Sequence, residues 1–333
     1  MHPPQKKAPL VSVMTLAYNH EETIERTIVS VLDQQTNYPY ELVIGEDCST
    51  DKTKEIVRSY QELHPDTIRV VQSDKNVGAK KNSARTLAAL RGKYLALCEG
   101  DDFWHDPRKL QKQTEFLEAN PEYVLTCSDY NEYYIHSKKT VKSYLKNRLN
   151  SSIKEDQSIS EILSGQNQIL TCTTLSRLDL VRQIRSEDPF LHTSGHFKMG
   201  DTQLWAELSL KGKIHFSKES LATRTMNHES ATRSKDERKV LQFWISNLEM
   251  VQYLSEKYNI LKDRRELLSY SKAHKELKLA ILEDDYVRGL EIAHKLENKR
   301  HSDRILIAAM HRPLIRKLTK LILRLKHYYR SRS

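Results

Sequence analysis

The chain has 333 residues, 38% hydrophobic and 29% charged, enough to bury a sizeable core in more than one structural unit. No run approaches the ~20 apolar residues of a membrane span, and Met1 to Pro9 is polar with no hydrophobic signal core behind its lysines. Cys48, Cys98, Cys127 and Cys172 are too scattered for a zinc site or a disulfide framework, which suits a reducing cytosol.

From Leu10 onward, strand and helix patterns alternate. Leu10 to Leu16 is a short apolar run of strand type, closed by Ala17-Tyr18-Asn19-His20. Glu21 to Leu32 places Ile24, Ile28, Val31 and Leu32 at helical spacing, with acids in the first turn. Tyr40 to Gly45 reads as a second strand. Glu46-Asp47-Cys48-Ser49-Thr50-Asp51 follows, where Ser49, Thr50 or Asp51 suits the cap of a helix over Lys52 to Leu63. Ile68 to Gln72 is a third strand, Asn76-Val77-Gly78 a turn signal, and a helix then runs through Leu90 until Gly92 stops it. Tyr94 to Cys98 is a fourth, buried strand. This order implies a parallel sheet with helices on its faces.

Directly after that strand stands Glu99-Gly100-Asp101-Asp102, and Asp106-Pro107 then opens another helical pattern. Carboxylates this crowded repel one another unless a cation or hydrogen-bond donors hold them. The carboxyl ends of strands are where open α/β sheets bind ligands. A solvated turn with an aspartate cap would leave similar residues here. Polar and acidic residues end strand after strand, however, so Tyr18, Asp47 and the acidic cluster are expected to converge on one crevice. The chain has no GxGxxG fingerprint and no GxxxxGKS/T loop. Phosphate in that crevice would need another source of positive charge, and a divalent cation held by carboxylates supplies one.

Four segments in order resemble motifs of the family 2 inverting glycosyltransferases. Val11-Ser12-Val13-Met14-Thr15-Leu16-Ala17-Tyr18-Asn19 resembles the family's opening VSVIxxxYN, and Glu46 to Asp51 its DDxSTD. Asn76-Val77-Gly78 with Asn82 resembles NxGxxxARN, and Glu99-Gly100-Asp101-Asp102 takes the place of DxDD. The resemblance covers residues 9 to about 126. It implies an α/β GT-A fold, a Rossmann-like mixed sheet flanked by helices, and a role of the bacterial surface-polysaccharide type. The implied reaction is metal-dependent inverting transfer from a nucleotide-sugar donor, UDP- or dTDP-sugar favoured, to a hydroxyl of a glycan or lipid-linked acceptor. The implied cofactor is Mn2+ or Mg2+.

The same resemblance assigns roles. Tyr18 packs on the nucleobase, and Asp47 accepts from a base N–H, which favours uracil or thymine. Asn19, Asn76, Lys81, Glu99 and Asp101 complete the nucleotide site. Asp101 and Asp102 hold the metal that bridges the diphosphate, although Glu99 stands where the family has its first Asp. Asp51 reads as a cap. Lys80, Lys81 and Arg85 are within reach of phosphate or form a solvated helix face. Gly200-Asp201 resembles the family's late acidic segment, which implies Asp201 as catalytic base; a helix N-cap would look the same. Arg224 to Ser230 resembles the family's YRxH element, with Thr223 replacing the Tyr and His228 displaced by two residues. His228 then completes the metal or diphosphate site, or is a plain surface histidine. A non-catalytic nucleotide-sugar binder or scaffold is the rival reading. A nucleotidyltransferase is another, and it would be expected to show a Gly-rich basic loop where Ala17 to His20 stands.

The chain is therefore divided into a GT-A domain over 1–233 and a helical C-terminal region over 234–333. Within the first, the nucleotide-sugar half is about 9–126 and the acceptor half about 127–233. In the acceptor half Tyr130, Tyr133, Tyr134 and Tyr144 suit either sugar stacking or half-buried strand positions. Gln157 to Gly165 reads as a short helix and Gln168 to Leu175 as a strand; Leu267 to Leu282 and Asp285 to Leu296 are helical. The net charge of +10 is largely a tail property, since no acid follows Asp303. After Pro313, Leu314, Ile315, Leu318, Leu321, Ile322 and Leu325 repeat at helical spacing. Arg312, Arg316, Lys317, Lys320, Arg324, Lys326 and Arg330 fill the remaining face, and Tyr328 and Tyr329 end it. That is the composition of an anchor on an anionic membrane surface, which places the protein in the cytoplasm, peripheral at the inner face of the plasma membrane. A terminal helix packed by its apolar side is the other reading, and no nucleic-acid partner is expected.

Overall fold

A computed structural model describes residues 8–149, 156–226, 234, 236–296 and 299–330, the last seven as backbone. The chain divides into two compact units, Met1–Gly195 with Gly200–Met226, and His196–Met199 with Asn227–Ser333.

The first unit is built on one mixed sheet. Its strands are β1 (Val11–Ala17), β2 (Tyr40–Glu46), β3 (Ile68–Gln72), β4 (Tyr94–Leu97), β5 (Phe103–Trp104), β6 (Tyr123–Tyr134), β7 (Lys139–Val141), β8 (Leu175–Arg177) and β9 (Lys213–Met226). Their order is β3-β2-β1-β4-β8-β6-β9-β5, with β7 on β6. The four strands expected from the sequence form its parallel side, Val13 lying opposite both Leu42 and Ala96. Their crossovers are α1 (Ile24–Leu32), α2 (Thr53–Leu63) and α3 (Ala79–Ala89). With helices on both faces, β1 and β2 are buried almost throughout, which is why they read as continuous apolar runs. Val13, Ile28, Leu42, Ile44, Ile68, Tyr94, Trp104 and Leu110 belong to the core between them. Beyond β4 the sheet turns antiparallel through β8, while β6 and β9 run parallel with register shifts.

The strand expected over Gln168 to Leu175 is not formed. Thr171–Thr173 is instead a 3-10 turn, and β8 begins only at Leu175. The threonine hydroxyls explain this: Thr173 Oγ1 donates to Leu170 O at 2.7 Å and Thr174 Oγ1 to Thr171 O at 2.8 Å, a local alternative to ladder pairing. Tyr130 is buried and stacks on Tyr144 with centroids 5.3 Å apart, and Tyr133 lies edge-on to Phe103. All four cysteines are free.

The second unit is helical, with Glu237–Lys257, Arg265–Glu283, Tyr286–Lys295, His301–His311 and Pro313–Arg330. Leu277, Ile281, Ala293, Leu306, Ala309 and Met310 form a core. Asp303 is fully buried and accepts from Tyr270 Oη at 2.9 Å, His274 Nδ1 at 2.5 Å and Arg300 N at 2.8 Å. The helix over His301–His311 escaped the sequence reading; the break at Arg312-Pro313 separates it from the basic tail. No described helix is long and apolar enough to cross a membrane.

Close approach of α3 to β2 depends on Gly45, whose carbonyl accepts from Asn82 Nδ2 at 2.7 Å. A Cβ there would overlap Thr86 Oγ1 and stand 2.8 Å from Asn82 Oδ1. Gly45→Ala is therefore expected to lower stability by ~1–3 kcal/mol, read as a lower urea midpoint with unchanged slope.

Candidate active site

The parallel strands end in loops at one edge of the sheet, and side-chain to backbone bonds sew these loops together. After β1, Asn19 adopts left-handed backbone (φ +55°). Its Oδ1 accepts from Thr50 N at 2.9 Å, and its own N–H donates to Ser49 Oγ at 3.1 Å. Asp47 is only 2% exposed; its two carboxylate oxygens accept from Val77 N and Gly78 N, both at 2.9 Å, and Arg85 Nη2 lies 3.9 Å away. The Asn76 to Gly78 turn is thereby pinned to the β2 loop, with Asn76 Oδ1 accepting from Gly78 N at 3.0 Å. Tyr18, by contrast, is 41% exposed at the end of β1.

The fourth loop closes tightly, Asp102 N donating to Glu99 O at 3.0 Å. Gly100 lies against β1: its N–H donates to Leu16 O at 3.1 Å and its carbonyl accepts from Thr23 Oγ1 at 2.8 Å. A Cβ at this position would run into the His20 ring, so glycine is what lets the acids turn here. Asp102 is buried, its Oδ1 accepting from Thr225 N at 2.8 Å and its carbonyl from Thr27 Oγ1 at 2.6 Å. Desolvation, then Asp101, pushes its carboxyl up to about 7 against the opposing pull of Thr225 N–H and Arg224. Glu99 is held well above the usual carboxylate range by desolvation, then by Asp102, Asp101 and Asp201.

Asp201 caps the helix Thr202–Leu208, all of whose residues are buried. Its Oδ1 accepts from Thr202 N at 2.7 Å and its Oδ2 from Thr171 Oγ1 at 3.2 Å. Its charge acts on Glu99 and on Lys80, so capping and membership of the acidic cluster coincide in one residue. Burial lowers the half-buried Lys80 ammonium, neighbouring Arg185 lowers it further, and Asp201 opposes both. Arg185 itself donates to Ser83 Oγ at 3.2 Å. Arg224 on β9 faces Asp102 and Glu99, while Arg26 on α1 stacks 4.1 Å from the Phe103 centroid and feels Asp102 and Asp101.

Tyr18, Asn19, Asp47, Asn76, Glu99, Asp101 and Asp102 thus occupy the strand-end loops, and Asp201 joins them through Glu99. Lys81 is exposed on α3; it is Lys80, about 100° round the helix, that lies close to Asp201. His228 lies outside the described residues. Arg26 and Arg185 went unnoticed in the sequence because each sits in an ordinary helix with no motif around it. Among the described residues no three His, Cys, Asp or Glu side chains are arranged to hold a metal unaided. The donors present are carboxylate oxygens under mutual repulsion. They fit a hard cation of the Mg2+ or Mn2+ kind, which takes one or two carboxylates and leaves its other positions to water and phosphate.

Parallel β-α units ending in ligand loops, continued by a mixed-sheet half, define a GT-A fold. Residues 12–176 match the model of glycosyl transferase family 2, so this part of the chain is a family 2 glycosyltransferase domain. The fold is similar to that of S. aureus TarS (residues 1-349) in complex with UDP, with TM-score 0.51 and 14% identity over 90% of this chain and 91% of that one. It is also similar to the mannosyltransferase PcManGT from Pyrobaculum calidifontis in complex with GDP-Man and Mn2+, with TM-score 0.55 and 14% identity over 98% of this chain and 88% of that one. By sequence, a Mycobacterium tuberculosis relative is 41% identical over 112 residues, 34% of this chain. The Escherichia coli UDP-Glc:alpha-D-GlcNAc-diphosphoundecaprenol beta-1,3-glucosyltransferase WfaP is 31% identical over 126 residues, 38% of this chain and 47% of its own. The chain spans about a third (32%) of the length of the mycobacterial relative.

Asp47→Ala would leave the Val77 and Gly78 amides without their acceptor in a closed loop. Stability should fall by ~1–3 kcal/mol, and hydrogen exchange at those two amides should accelerate more than elsewhere in the sheet.

Proposed function

We propose that the protein is a metal-dependent inverting glycosyltransferase. It would move a sugar from a nucleotide-sugar, UDP- or dTDP-sugar favoured, to a hydroxyl of a glycan or lipid-linked acceptor in surface-polysaccharide or glycolipid synthesis. One observation carries the reading: acids from two loops far apart in the chain, Glu99, Asp101 and Asp102 with Asp201, share one field at the end of the parallel strands. The nucleotide complexes of TarS and PcManGT and the named reaction of WfaP support it.

In this reading the exposed Tyr18 ring offers a flat apolar face to the base. Asn19, Asp47 and Asn76 hold the loops around it, and Asp47 keeps a lone pair on each oxygen for a base N–H. Glu99 and Asp101 reach the ribose, and Lys81 borders the phosphates. Asp101 and Asp102, with His228, would hold Mn2+ or Mg2+; when bound, such a cation offsets the charge of the departing diphosphate. Arg224 offsets part of the charge of Asp102 and Glu99. Asp201, oriented by Thr202 N–H and the Thr171 hydroxyl, takes the proton of the acceptor hydroxyl. With that base across the anomeric carbon from the leaving group, displacement is in line and inverts the centre. The same reading places the protein in the cytoplasm at the inner face of the plasma membrane, held there by residues 312–333.

Asp201→Asn should lower turnover by roughly 10²–10⁴-fold while leaving nucleotide affinity in calorimetry unchanged. Near-normal turnover would refute the base. Titration with UDP, dTDP and GDP, with and without Mn2+, identifies the preferred base and tests the cation.

The raised carboxyl of Asp102, near 7, gives a pH dependence. Protons compete with the cation for the same oxygens, so Mn2+-dependent nucleotide affinity should fall as pH drops through about 7. A flat profile over that range would contradict the assignment of Asp102 to the cation.

A further inference from the structure

The last helix turns the unexpected side to solvent. An amphipathic helix on a globular unit ordinarily buries its apolar stripe. Here the inward positions are Ile315, packed on the helical core, and Thr319 and Leu323, which are buried. Two basic residues are spent in holding it there. Arg316 donates to Ala309 O at 3.2 Å and Met310 O at 2.7 Å and lies 3.7 Å from the Tyr286 centroid; Lys320 Nζ pairs with Asp284 at 2.6 Å. Leu314, Leu318, Leu321 and Ile322 share the adjoining face at i, i+4, i+7 and i+8, and they are 83%, 58%, 53% and 43% exposed. Exposed Arg312 and Lys317 stand in the same stretch, Ile305 and Arg304 are exposed on the preceding helix, and no acid follows Asp303 in the sequence.

A contiguous apolar face rimmed by cations marks a binding surface rather than a solvated one. A second copy docked on it would bring two cationic rims together. An anionic leaflet complements both the leucines and the rim. We propose that this leucine face is where the protein lies on an anionic lipid surface. Leu314, Leu318, Leu321 and Ile322 enter below the headgroups while Arg312 and Lys317 meet the phosphates. The proposal rests on the membrane location given above and specifies its contact. Because Arg316 and Lys320 are engaged within the unit, apolar insertion carries more of the binding than the tail's formal charge suggests.

Co-sedimentation of the full chain with phosphatidylglycerol/phosphatidylcholine vesicles, and with phosphatidylcholine alone, tests this. Wild type should bind the anionic vesicles and keep part of that binding at about 0.5 M salt, where exposed charges are screened. L314S/L318S/L321S should bind roughly tenfold less or weaker still, with unchanged thermal unfolding because the replaced side chains are exposed. R312Q/K317Q should lose several-fold at low salt only. If wild type ignores anionic vesicles, the membrane location itself falls. If wild type binds and the triple serine variant binds equally, the location stands and the leucine face is overturned. The face is also overturned if the triple variant turns a dimer into a monomer by light scattering with vesicle binding intact.

Discussion

Three carboxylates in one four-residue turn repel one another, and much of the first unit is arranged around holding them there. Gly100 lets the turn close against Leu16, Thr23 and Thr27 hold its carbonyls, and Thr225 N–H takes one oxygen of Asp102. Arg224 and Arg26 bring positive charge from a strand and a helix that are distant in sequence. Even so, Asp102 and Glu99 remain harder to ionise than free carboxylates. The neighbouring loops, pinned by Asp47 and Asn19, surround that turn at the ends of the parallel strands.

The parallel half was legible because its central strands β1, β2 and β4 are largely buried and so read as mainly apolar runs, and because each ends in a polar loop. The acids and Tyr18 could be placed by the same logic, as strand-end residues. Residues that act through tertiary proximity could not. Arg185 comes from a helix end with no distinguishing neighbours, and choosing between Lys80 and Lys81 requires the rotation of α3, which α3's mixed pattern does not fix. The stretch before β8 misled because a threonine-rich run has strand propensity. Its hydroxyls prefer nearby carbonyls instead.

The terminal helix shows the same limit in another form. Its leucine periodicity was plain in the sequence, yet periodicity says only that a stripe exists, and the contacts of Arg316 and Lys320 decide which side faces inward. Charge at an aliphatic surface can thus serve as a docking element for the protein itself, freeing the oily side for something else.

The bond from Thr225 to Asp102 has a mechanical meaning. β9 pairs with β6 over most of its length, and this amide is where the far half of the sheet grips the acidic turn. With β5 pairing to β9 immediately after the turn, and His105 bonded to Thr223, the acidic loop and the far strand form one continuous piece, so neither can shift without straining the other.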